Sequence, residues 1–152
     1  MPHRSWANTA CWAWCPARGA FRSALRFNAS DEATQRELAL CERILELDPA
    51  VRGLGPAERY RRSAALLEAA LGRAEQCLPK VSQAADAQPL RTWADTARQS
   101  PARQPARRAA DGAAESELSL AEELWAASQK LCGAASGFDA ATDRVLAALS
   151  RN

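Results

Sequence analysis

The residues with the greatest potential for chemistry are five cysteines and one histidine. Cys11 and Cys15 stand four positions apart, a spacing that matches neither the two-residue gap of redox dithiols nor a paired zinc-ligand motif. His3 could supply a third ligand, but the sequence offers no fourth one nearby. We therefore predict no metal site and no cofactor.

The other three cysteines, Cys41, Cys77 and Cys132, each stand alone within an apolar helical pattern. Isolated cysteines of this kind are typical of small buried side chains in a reducing compartment. The odd total of five also argues against a secreted disulfide framework. The sequence therefore predicts single buried thiols and an intracellular, reducing location.

Acidic residues occur in pairs four positions apart, as in Glu42 with Glu46 and Asp139 with Asp143. Such pairs on helices are usually solvated, and no histidine stands at the Glu-x-x-His spacing of a di-metal bundle. The sequence also lacks a nucleophile elbow and a glycine-rich phosphate loop. We therefore predict that the protein is not an enzyme.

The first 30 residues differ in composition from the rest of the chain. They contain Arg4, Arg18, Arg22 and Arg26, no acid, and three of the five tryptophans. This composition is typical of a disordered head or of an organellar import segment, and a functional head of tryptophans and thiols is a third interpretation. We predict that residues 1–30 are flexible or transit-like, with mitochondrial import as one alternative.

After residue 30 the pattern is helical, and no run of alternating β-branched residues appears. Apolar residues recur at spacings of three and four, and prolines and glycines stand at the ends of these stretches. Alanine, with 36 of the 152 residues, favours helices but buries little area. We predict an all-α fold, a small bundle of three to four main helices at about 31–47, 57–78, 116–132 and 138–150.

A stretch rich in proline, arginine and alanine interrupts the helical pattern at about 99–114. It contains no large apolar residue and cannot offset the entropy lost on ordering, so we predict a linker within one helical domain at 31–152. A shorter helix ends just before it, at Arg98. The arginines between 98 and 108 suggest weak nucleic-acid binding as an alternative function, but the net charge of only +2 makes nucleic acid an unlikely partner.

The clearest pattern is an apolar stripe within the helix predicted at 57–78. Its six members follow spacings of 4, 3, 4, 3 and 4, as heptad a and d positions do: Tyr60, Ala64, Leu67, Leu71, Ala74 and Leu78. Such a stripe needs an apolar neighbour, and we expect another helical chain or a second copy to provide it. The sequence therefore predicts a non-enzymatic protein-interaction or scaffold subunit, with an organelle-imported assembly factor as the alternative. No apolar run is long enough to span a membrane.

Overall fold

The structure, a computed structural model, describes residues 11–81, 85–100, 113–133 and 139–150. Within these ranges the chain forms six α-helices, one turn of 3₁₀ helix at Ala85–Ala87, and no strand. The α-helices are α1 (Cys11–Phe27), α2 (Glu32–Leu47), α3 (Pro56–Val81), α4 (Gln88–Arg98), α5 (Ala113–Cys132) and α6 (Ala140–Ser150). The prediction of an all-α fold is therefore confirmed.

The predicted number of three to four main helices is too low. The shorter helix ending at Arg98 is present as α4, and α1 lies within the segment predicted to be flexible. We expect Pro16 to end a helix, yet it stands inside α1. Because a proline removes only one hydrogen bond from the helical ladder, the turns on either side of it still form. Residues 1–10 of the predicted flexible segment lie outside the described residues.

The ends of α2 show how local side chains set a helix boundary. The helix ends at Leu47 as predicted, before the Asp48-Pro49 pair. At its start Asp31 is the N-cap, and its carboxylate accepts hydrogen bonds from the backbone N–H groups of Ala33 and Thr34, at 3.1 and 3.3 Å. The Thr34 hydroxyl donates to the same carboxylate, and these bonds lower the pKa of Asp31.

The helices form two compact units. In the first unit α2 packs against both α1 and α6, and in the second unit α3, α4 and α5 pack against one another. The buried apolar side chains of the first unit are Cys41, Ile44, Ala50, Ala141, Val145, Leu146 and Leu149. Those of the second unit are Leu66, Leu67, Ala70, Leu71, Ala74, Cys77, Ala87, Leu90, Ala94, Ala97, Leu118, Ala121 and Leu124.

The two long helices of the second unit, α3 and α5, run in the same direction. Their carboxyl ends are joined by a disulfide bond between Cys77 and Cys132. Near their amino ends, Tyr60 of α3 has a pKa that is raised by burial and by the charge of Glu117 of α5. Helix α5 ends at Cys132, and the φ of 68° at the following Gly133 lies in the left-handed region that favours glycine. The predicted linker leads into α5, and its residues 101–112 lie outside the described residues.

Candidate docking surfaces

The predicted stripe on α3 is buried in the middle and partly accessible at both ends. Leu67, Leu71 and Ala74 are no more than 2% exposed, whereas Tyr60, Ala64 and Leu78 are half-buried; we call these six residues the α3 stripe. The principal neighbour of α3 within its unit is α5. The middle of the stripe therefore has its apolar neighbour within the same chain, and its role in binding a partner stays a prediction.

The accessible ends of the α3 stripe lie on the same side of the helix. Tyr60 and Leu78 are 18 residues apart, which corresponds to five helical turns and a rise of about 27 Å. Ala64 lies one turn after Tyr60 on nearly the same side. The accessible part of the stripe thus consists of two apolar contact points on one side of α3.

A network of charges fixes the first turns of α3 beside Tyr60. The Glu58 carboxylate accepts hydrogen bonds from Arg61, at 2.8 and 2.7 Å, and from Arg62, at 2.9 Å. These bonds, with that from Arg61 the largest cause, lower the pKa of Glu58 to about 2. Glu58 also lies in the first turn of α3, where the helix dipole stabilises a negative charge.

A buried polar pair lies near the start of α5. Glu117 is 5% exposed, and the Ser100 hydroxyl lies 2.7 and 2.6 Å from its two carboxylate oxygens. Burial raises the pKa of the Tyr60 hydroxyl, and the charge of Glu117 raises it further. The sequence prediction missed this pair because Ser100 stands in the segment predicted to be a linker.

Arg73 is buried at the other end of the same unit, a location that the stripe pattern does not predict. Its guanidinium donates a hydrogen bond to the carbonyl oxygen of Gly133, the residue that follows α5. A cation at a helix carboxyl end is stabilised by the partial negative charge of the last carbonyl groups. Arg73, a residue of α3, therefore stabilises the carboxyl end of α5.

The prediction of single thiols is wrong for Cys77 and Cys132. Their sulfur atoms are bonded, with an S–S distance of 2.01 Å and a Cα–Cα distance of 6.0 Å. The two residues are 55 positions apart in the sequence and meet only because α3 and α5 pack together. Cys15 is also disulfide-bonded, whereas Cys41 is a free, buried thiol whose pKa is raised by burial. The predicted single buried thiol is confirmed for Cys41, and the compartment stays a prediction.

Helix α1 carries an uncovered apolar row, which we call the α1 outer row: Pro16, Ala20, Ala24 and Phe27, at spacings of 4, 4 and 3. All four residues are exposed, and Phe27 is 93% exposed. No other large apolar side chain of the described residues is exposed. This row is therefore a second surface that a partner could cover.

The other side of α1 faces α2. Arg22 forms an ion pair with Glu42 at 2.6 Å, and both side chains remain about half exposed. A surface hollow of about 310 Å³ lies between the two helices, lined by Phe21, Ala33, Thr34, Arg36 and Glu37. Among the described residues neither Arg18 nor Arg26 has an acidic partner. The three arginines of α1 follow the side of the helix that carries Arg22, and this side lies roughly opposite the α1 outer row.

Other kinds of site were also sought in the described ranges. They contain no cluster of three metal-ligating side chains, and none of their helices combines the length and apolar character needed to cross a membrane. In the arginine cluster at 98–108, Arg98 binds Glu75 at 3.1 Å and Asp95 at 2.6 Å. The remaining arginines of that cluster lie outside the described residues, and nucleic-acid binding stays a prediction.

No protein-family profile, no curated protein and no solved structure matches this chain. Its function is therefore inferred from the contacts, burial and charges of its own residues.

Proposed function

We propose that this protein is a non-enzymatic helical interaction or scaffold subunit that docks another helical chain through the two ends of the α3 stripe. The observation that supports this proposal is the partial exposure of Tyr60, Ala64 and Leu78 on a stripe whose middle is buried. Covering apolar surface contributes about 25 cal/mol per Å². A partner helix that covers either accessible end gains apolar burial there, whereas the middle of the stripe is already buried within the unit.

A second copy of the chain fits this surface. Because the middle of the stripe is buried, each accessible end forms a separate contact. A twofold axis at one end then places Leu78 against the partner's Leu78, or Tyr60 against the partner's Tyr60. The network of ion pairs near Tyr60 carries a net charge of only +1, because Glu58 neutralises one of the two arginines, Arg61 and Arg62. Repulsion between the networks of two copies therefore opposes this pairing only weakly.

Sedimentation equilibrium of the full chain tests the proposal. We expect concentration-dependent dimers, and we expect Leu78→Glu to shift the equilibrium to monomer because the new carboxylate loses water on docking. The matched control is Gln76→Glu, which adds the same charge at an exposed position of the same helix. A compact wild-type monomer that melts cooperatively at every concentration would contradict the proposal.

Import into an organelle, as an assembly factor, is a second proposal for the same chain. It is supported by the acid-free composition of residues 1–30. The free thiol of Cys41 still supports the predicted reducing location. Cys77 and Cys132 no longer support it, because they are bonded to each other. The mature N-terminus of the native protein tests import: a start near residue 30 supports it, and retention of Cys11–Phe27 contradicts it.

A further inference from the structure

We propose that Cys77 and Cys132 form a redox-active pair, whose bond a dithiol reductant opens and an oxidised dithiol closes again. The redox state of the pair then sets how firmly the carboxyl end of α3 is held against α5. The bond joins two helices of the second unit, and this inference is independent of docking by the α3 stripe.

The two bonded cysteines differ in their access to solvent. Cys77 is 1% exposed, whereas Cys132 is half-buried in the last turn of α5. In thiol–disulfide exchange a thiolate attacks a sulfur that it can reach, and the other sulfur leaves as a thiolate. We therefore expect attack at Cys132 and departure of Cys77.

A buried cation is placed one turn from the cysteine that leaves. Arg73 is 3% exposed and precedes Cys77 by four positions, on the same side of α3. Its guanidinium donates a hydrogen bond to the carbonyl oxygen of Gly133, the residue that follows Cys132. The positive charge thus lies at the level of the bond, and a nearby cation stabilises a thiolate.

A buried hydroxyl occupies the equivalent position on α5. Ser128 is fully buried and precedes Cys132 by four positions. Within the described part of the chain its hydroxyl has no hydrogen-bond partner. An unpaired buried hydroxyl costs free energy beside a neutral disulfide, and it can donate a hydrogen bond once a thiolate forms. Ser128 and Arg73 therefore both favour the reduced pair.

The exchange balances in atoms and electrons. One thiolate of the dithiol attacks the Cys132 sulfur, the bond to Cys77 breaks, and Cys77 leaves as a thiolate that takes up a proton. The second thiolate of the dithiol then attacks the sulfur that the first one contributed to the mixed disulfide, and Cys132 is released. The chain gains two electrons and two protons as two thiols, while the dithiol is oxidised to an intramolecular disulfide.

Opening the bond is expected to loosen the end of α3. Pro79 stands inside this helix, two positions after Cys77, and it has no N–H group to donate to the carbonyl oxygen of Glu75. The last turn of α3, which ends at Val81, therefore depends more strongly on the link to Cys132.

Exchange of the full chain with reduced and oxidised dithiothreitol tests the proposal. Alkylation followed by mass spectrometry of peptides measures the thiol of each cysteine separately. We expect the pair to open and close reversibly while the circular dichroism signal of the helices is retained. On reduction, amide hydrogen exchange is expected to become faster at residues 80–81 and to stay unchanged at residues 64–74. Reduction that requires a denaturant, or that leaves hydrogen exchange at residues 80–81 unchanged, would overturn the proposal.

The variant Arg73→Gln separates stabilisation of the thiolate from packing. Loss of packing alone would expose the bond and make its reduction faster, whereas loss of the cation is expected to slow reduction severalfold. Arg73→Lys keeps the charge and is expected to restore most of the rate. The control is Arg61→Gln, which removes the same charge from an exposed position of α3. Faster reduction of Arg73→Gln, or equal rates for its Gln and Lys variants, would overturn the role of Arg73.

The hydroxyl of Ser128 is tested by the position of the redox equilibrium. Ser128→Ala is expected to shift the equilibrium with dithiothreitol severalfold towards the bonded form without destabilising the oxidised chain, because it removes a buried hydroxyl that has no partner among the described residues. Ser119→Ala, at an exposed position of α5, is the control and is expected to leave the equilibrium unchanged. Equal equilibria for the two serine variants would overturn the role of Ser128.

Discussion

The Ser100 hydroxyl lies 2.7 and 2.6 Å from the two carboxylate oxygens of Glu117, and both residues are at most 6% exposed. A buried carboxylate is costly unless hydrogen-bond donors surround it. Since Ser100 follows α4 and Glu117 belongs to α5, this contact fixes the start of α5 relative to α4. Near the same place lies Tyr60, the first member of the α3 stripe.

Removing the Ser100 hydroxyl is expected to destabilise the protein. Ser100→Ala leaves the Glu117 carboxylate buried without this donor, and the loss of a hydrogen bond to a charged group costs about 1.5–3 kcal/mol. Urea denaturation measures the change in the free energy of unfolding. Ser119→Ala, at an exposed position of α5, is the control and is expected to change it by less than about 0.5 kcal/mol. Equal stabilities for the two variants would contradict the assigned role of Ser100.

Because Tyr60 is the only tyrosine in the chain, the ultraviolet titration of the tyrosine hydroxyl reports the surroundings of this one residue. Its pKa is raised by burial and by the charge of Glu117, so its ultraviolet titration is expected above the ordinary value of about 10. Glu117→Gln removes the second cause and is expected to lower the midpoint without returning it to the ordinary value. A midpoint at or below that of a free tyrosine in the wild-type chain would show that Tyr60 is not placed as described.

The ion pairs of Glu58 predict a defined response to acid. Its pKa is lowered to about 2, so the stabilising contribution is present above the ordinary carboxyl pKa and is lost as the pH falls towards 2. Carboxyl-carbon NMR titration is expected to show Glu58 ionised well below the pH at which exposed glutamates protonate. Glu58→Gln is expected to weaken the dependence of the free energy of unfolding on pH in that interval. A titration midpoint for Glu58 equal to that of an exposed glutamate would contradict the ion pairs with Arg61 and Arg62.

The bond between Cys77 and Cys132 is expected to stabilise the second unit. It closes a loop across 55 positions, and loops of this order contribute about 2–4 kcal/mol by restricting the unfolded chain. Urea unfolding of the Cys77→Ala, Cys132→Ala variant is expected to show this loss relative to the oxidised wild type. Much of the difference should disappear under dithiothreitol, because neither chain then carries the bond. A difference of the same size with and without dithiothreitol would assign the loss to packing instead.

The sequence pattern predicted local structure well and contacts between helices poorly. The Asp48-Pro49 pair placed the end of α2 at Leu47, and the spacing of apolar residues placed Leu67, Leu71 and Ala74 on one face, which the structure buries. These features depend on residues within a few turns of one another. Pro16 was the local exception. A proline is expected to end a helix, but α1 continues on both sides of Pro16.

The missed features all join distant parts of the chain. Ser100 and Glu117 are 17 positions apart, Cys77 and Cys132 are 55 apart, and Arg73 lies 60 positions from Gly133. Apolar spacing on one helix does not specify which other helix packs against it, so none of these contacts could be derived from the pattern. The exposure of Phe27 was missed for the same reason, since it depends on how α1 packs against α2.

The central claim, that the accessible part of the α3 stripe docks a second helical chain, is tested most directly by photo-crosslinking from neighbouring positions. A photoreactive residue at Ala64 lies on the stripe, and one at Ala65 lies beside it on an exposed side of the same turn. We expect position 64 to form covalent adducts with a second polypeptide, and position 65 to form far fewer. Adducts confined to the same chain, or equal yields from both positions, would contradict the claim.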